Sequence, residues 1–140
     1  MRMNSQAWPH RFHEAPWDEI ASRFHEMAAE HDDVRHVADI VDSVLACGGE
    51  RRLAGLTSMR DLVVAARPIP ESPPIEVVIV RSPSSDHVAP GSVLIEHRSI
   101  TGCDDRILRP SDEAVPLFWR FMVEKFGVEP VRSTDPSTTD

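Results

Sequence analysis

A chain of 140 residues with 41% hydrophobic and 27% charged side chains has the size and usage of one globular domain, which excludes a disordered or fibrous protein. Its formal charge of -8, with acid ahead of base in both halves, excludes a general phosphate-backbone binder, which needs a basic stripe to displace counterions. There is no apolar run of membrane-spanning length and no signal-peptide core at the N-terminus, so the expected setting is the reducing cytoplasm. Cys47 and Cys103 are then thiols, and neither membrane nor nucleic acid is a partner.

Residues 1–15 are polar and irregular, and read as a flexible arm that docks through Trp8 and Phe12. Pro16 suits the first turn of a helix, where its missing N–H is no loss. Asp18 and Glu19 follow at the positive end of the dipole. Trp17, Ile20, Ala21, Phe24, Met27 and Ala28 recur at helical spacing, which predicts a first helix over 16–30. Asp32 or Asp33 can open a second helix. Val34, Val37, Ala38, Val41, Val44 and Leu45 give it an apolar stripe, and Gly48-Gly49 ends it.

After Gly49 the period changes from helical to alternating. Residues 51–57 make a poor strand because they contain Gly55, and read as an edge or a bulge. Ser58-Met59-Arg60 is a turn, and 61–67 is a better strand. Pro68, Pro70, Pro73 and Pro74 enforce an extended connection. Residues 75–82 (I-E-V-V-I-V-R-S) follow as an unbroken β-branched run, the signature of a strand buried on both faces. Val77 and Ile79 point to one face, Val78 and Val80 to the other. Residues 92–101 and 106–109 form a hairpin around Gly102-Cys103-Asp104-Asp105. A last helix runs from the Ser111 region to Gly127, with Leu117, Phe118, Phe121, Met122 and Phe126 inward. Residues 128–140, rich in Pro, Ser, Thr and Asp, read as a disordered tail.

The expected fold is a single α+β domain over 16–127: an N-terminal helical hairpin, an antiparallel meander of four to five strands, and a C-terminal helix, in the order α-α-β-β-β-β-β-α. The helices should take one sheet face, and the termini or a second copy the other. Exposing such apolar side chains would cost roughly 1.5–3 kcal/mol each.

The chemistry-bearing residues form no strong motif. Five of the seven histidines precede residue 37, but no pair sits at i, i+3 or i, i+4 on a helix, so no metal and no cofactor are expected. Ser84, Asp86 and His87 are adjacent in a loop and better suited to turn chemistry than to a triad. Cys103 with His97 across the hairpin lacks an electropositive setting for a reactive thiol. No catalytic residue is assigned.

Arg81, His97, Arg98 and Trp119 remain as candidate binding residues: the arginines as forks for an anion, Trp119 as an aromatic on the flank of its helix stripe beside Arg120. The leading expectation is a non-enzymatic module that binds another protein or itself. In size and charge it is comparable to immunity proteins and secretion chaperones. The alternative is a small-molecule or anion site, or an enzyme, with a pocket between sheet and helices lined by Arg and His.

Overall fold

The computed structural model describes residues 7–83, 88–102 and 104–130. Residues 1–6 and 131–140, which belong to the arm and tail read from the sequence, lie outside the described residues, as do Ser84–His87 and Cys103. The described chain is an α+β domain in the expected order. It runs α1 (Trp17–Glu30), α2 (Arg35–Ala46), β1 (Leu53–Ser58), β2 (Asp61–Ala66), β3 (Val77–Arg81), β4 (Ser92–Arg98), β5 (Asp105–Pro110) and α3 (Ala114–Phe121). The five strands form one antiparallel sheet in sequence order, a meander with β1 and β5 as its edges.

The helix ends follow their local chemistry. Pro16 stands just before α1, and its carbonyl accepts the N–H groups of Glu19 and Ile20. Pro116 is the third residue of α3, where an N–H has no intrahelical partner to lose. Ser111–Glu113 is a separate 3-10 turn in which Ser111 makes no side-chain cap, so the capping signature marks the region and not the first residue of α3. α3 continues as a π-helical turn over Met122–Phe126 and stops at Gly127, whose φ of 67° is left-handed. The Val128 N–H then bonds back to the Met122 carbonyl, and Val128 is buried. The packed chain therefore reaches one residue past the boundary read at 127.

The sheet alternates as its sequence does. Leu53, Leu62, Val64, Val78, Val80, Val93 and Ile95 face the three helices and form the main core with Trp17, Phe24, Val41, Phe118 and Phe121. The other face carries a second core of Leu56, Val63, Ala65, Ile75, Val77 and Ile79. Trp8, Phe12 and Ile69 cover it. Trp8 exchanges both backbone hydrogen bonds with Ile75, at 2.8 and 2.9 Å, and so ties the arm to the approach of β3.

Gly55 does not produce a bulge. β1 pairs with β2 in unbroken register from Leu53↔Ala66 to Ser58↔Asp61. The glycine is instead where α1 lands. A Cβ at position 55 would lie 2.8 Å from Trp17 Cη2, 3.0 Å from Trp17 Cζ2 and 3.1 Å from Ile20 Cδ1. The indole cannot simply slide away, because its Nε1 donates to the Leu53 carbonyl at 2.9 Å. Gly55→Ala is therefore expected to lower stability by about 1–3 kcal/mol through overpacking. Urea denaturation followed by tryptophan fluorescence measures this, and an unchanged midpoint would show that α1 is not held this tightly.

Candidate functional site

Alternation along β3 and β4 separates the polar candidates. Arg81 shares a face with Val77 and Ile79. Opposite residues in an antiparallel pair share a face, and Glu96 lies across from Ile79 and Arg98 across from Val77. Arg81, Glu96 and Arg98 therefore stand on the face away from the helices. His97 lies across from Val78, on the helix side. The two arginines and the histidine do not converge, so a pocket between sheet and helices cannot draw on all three.

Arg81 bridges two carboxylates. Its Nη1 donates to Asp61 Oδ2 at 2.9 Å and its Nε to Glu96 Oε2 at 3.1 Å. Glu96 Oε1 accepts from Arg98 Nε at 3.0 Å and from Arg98 Nη2 at 2.6 Å. Asp61 Oδ1 also accepts the Ser82 backbone N–H at 3.0 Å. Two carboxylates and two guanidiniums thus alternate along the rim of the second core, with no net charge among them. Burial alone would raise the Glu96 carboxyl. The hydrogen bond from Arg98 and the charges of Arg81 and Arg98 outweigh it and hold the group below its ordinary value. Burial likewise disfavours the charge on Arg81, and Asp61 and Glu96 reverse that and raise its pKa.

Beside this network is a shallow depression of about 140 Å³ lined by Trp8, Pro9, Ser58, Asp61, Val63, Ile79, Arg81 and Arg98. It is small for a ligand site, and its positive groups are already opposed by carboxylates.

On the helix side, His97 is buried and its Nε2 lies 2.5 Å from Glu76 Oε2. Its ring meets Phe126 edge-on, with centroids 6.4 Å apart. Across from His97, Asp105 pairs with Lys125 at 3.1 Å. Trp119 is not on a surface flank. It is 9% exposed, stacks edge-on against Phe118, and donates from Nε1 to Ser43 Oγ at 2.9 Å. The α2 terminus meets it there, so this tryptophan lies at the edge of the core. His36 is also buried, which pushes its imidazole below the ordinary value, although Asp39 and Asp33 oppose the shift. Among the described residues no three His, Cys, Asp or Glu side chains gather where they could hold a metal ion. No described helix is long and apolar enough to cross a membrane.

The feature that sequence reasoning missed is a contrast between the two sheet edges. β1 is closed by the N-terminal segment: its Gly55 carbonyl accepts the Ala15 N–H at 2.9 Å, and its Leu53 carbonyl accepts the Trp17 indole. β5 has no strand on its outer side among the described residues. The direction of its main chain follows from one bond. The Ser111 N–H donates to the Gly91 carbonyl at 2.8 Å, flanking the pair Ser92↔Pro110. Pro110 is therefore at a non-hydrogen-bonded position, with its nitrogen and carbonyl turned outward. By alternation, Arg106 and Leu108 also turn their N–H and C=O groups outward, while Ile107 and Arg109 bond to β4. Leu108 is 51% exposed.

No protein-family model matches the chain, and no curated protein and no solved structure shows significant similarity to it.

The rim network yields a pH dependence with a definite sign. Because the folded Glu96 is more acidic than an ordinary glutamate carboxyl near 4.5, its stabilisation is fully present above that pH and is lost as the pH falls through the lower folded value. Glu96→Gln is expected to cost about 1–3 kcal/mol at neutral pH, since it removes an ionised acceptor from two guanidiniums. It should also flatten the decline of the urea midpoint below pH 4.5. Parallel decline of variant and wild type in that range would show that the network does not stabilise the fold.

Proposed function

We propose that the protein is a non-catalytic, acidic protein-binding module that engages another protein, or a second copy of itself, along β5. The observation that carries this reading is the unequal treatment of the two edges. The chain covers β1 with Ala15 and Trp17, and covers the second sheet face with Trp8, Phe12 and Ile69. It pairs no strand with the outward main chain of Arg106 and Leu108 among the described residues, where the Leu108 carbonyl accepts only the neighbouring Arg109 Nη1, at 3.1 Å. An open strand edge is a template for adding a strand, with main-chain bonds giving affinity and side chains giving selectivity.

A non-catalytic role fits the polar groups. Arg81, Glu96 and Arg98 satisfy one another on one face, and on the other His97 Nε2 is engaged with Glu76 while its buried Nδ1 has no partner among the described residues. The reading carries with it a cytoplasmic setting, where thiols stay reduced.

Leu108→Pro separates binding from folding. Proline removes only an N–H that faces outward, so the β4–β5 ladder keeps its bonds. The immobilised wild-type chain is expected to retain its partner, and the Leu108→Pro chain to lose it at an unfolding midpoint within a few degrees of wild type. Equal retention by both would overturn the assignment of β5 as the contact.

A further inference from the structure

We infer that the occupant of the β5 edge is a second copy of this chain, paired antiparallel about a two-fold axis at Ile107. The inference rests on the binding role proposed for β5 and supplies its partner. The outward groups decide which registers exist. Outward residues must oppose outward residues, so a two-fold axis can pass through a residue of β5 but not between two residues. An axis at Arg106 places Arg106 against Arg106′, two like charges. An axis at Leu108 places Ile107 opposite Arg109′ and leaves Asp105 beyond any cationic residue of β5′.

An axis at Ile107 places Asp105 opposite Arg109′ and Arg109 opposite Asp105′. These are non-hydrogen-bonded positions, where side chains approach most closely, with Cα atoms about 4.5 Å apart. Arg106 then exchanges both main-chain bonds with Leu108′, and Leu108 with Arg106′. Ile107 meets Ile107′ on the helix side, and the exposed Leu108 lies over the stem of Arg106′ on the other side.

The sequence D-R-I-L-R-P is thus self-complementary in this one register. Pro110 supplies no outward donor, so the shared ladder loses its reciprocal bonding beyond these four bonds. The side chains of Asp105 and Arg109 are 45% and 48% exposed, and the pairing exchanges their partners within one chain: Asp105 turns from Lys125, at 3.1 Å, and Arg109 Nη1 releases the Leu108 carbonyl, at 3.1 Å, to the second copy. A charged edge of this kind blunts promiscuous pairing while admitting the partner of matching pattern.

Charge reversal tests the pairing with the full chain. The wild type is expected to sediment as a dimer at micromolar concentration. Asp105→Arg and Arg109→Asp each place two like-charge pairs across the axis, and each is expected to raise the dimer dissociation constant by about tenfold or more. An equimolar mixture of the two variants restores opposite charges at both positions, and is expected to form a heterodimer within about threefold of the wild-type constant.

Unfolding midpoints of the single variants show that they remain folded, and recovery in the mixture could not come from unfolded chains. A wild type that stays monomeric at about 200 µM, far above a micromolar constant, overturns the inference. So does a dimer unaffected by either reversal. Failure of the second-copy inference remains distinguishable from failure of the binding role. A monomeric wild type that still retains a different protein, which Leu108→Pro loses, overturns only the choice of occupant. Equal retention by wild type and Leu108→Pro removes β5 as a contact altogether.

Discussion

The structure depends on the need to bury β3 on both faces. Val77, Val78, Ile79 and Val80 are all at 4% exposure or less, although they point alternately to opposite sides of the sheet. Leaving either pair in water would forfeit roughly 1.5–3 kcal/mol per side chain, a large part of the stability of a domain this size. The three helices cover one face only. The arm and the proline-rich connection must supply the second layer, and their extended, hydrogen-bond-poor chemistry suits them to lie over a sheet without competing for its ladders.

That solution also sets the sheet's asymmetry. To reach the second face from α1, the arm passes the free edge of β1. Ala15 and the Trp17 indole then satisfy outward carbonyls there as the chain crosses. Nothing comparable passes β5 among the described residues, because the connection after it turns back at Ser111 toward the helix layer. The Asp61–Arg81–Glu96–Arg98 network closes the rim of the second core. Its alternating signs let charged side chains border apolar ones without stranding a buried charge.

The same alternation limits what chemistry the polar residues can do together. His97 and Arg98 are neighbours in sequence but are separated by the thickness of the sheet, because consecutive side chains on a strand point to opposite faces. A site built from both would need a second element to bring one of them around. None of the described residues provides it.

Much of the fold was legible in local pattern. The change of period at Gly49, the β-branched run at 77–80 and the left-handed glycine at 127 each follow from short-range sterics, and each appears where those sterics put it. The split of Val77 and Ile79 from Val78 and Val80 was equally legible, since a strand has a period of two. Gly55 and Trp119 were not. One looks like a weakness until Trp17 arrives over it from a helix 38 residues earlier in the chain. The other lies on the flank of its helix stripe, and only the closure of Ser43 and the α2 terminus against it decides that this flank is covered.

The candidate site was legible only as composition: Asp105, Arg106 and Arg109 are plain in the sequence, but their value depends on β5 being an edge. Sequence by itself determined which residues are helical, which are extended and which face of each is apolar, because propensity and periodicity are local. The tertiary structure alone decided which edge is covered, which charges meet and which aromatic is buried, because those depend on contacts between segments that no local pattern encodes.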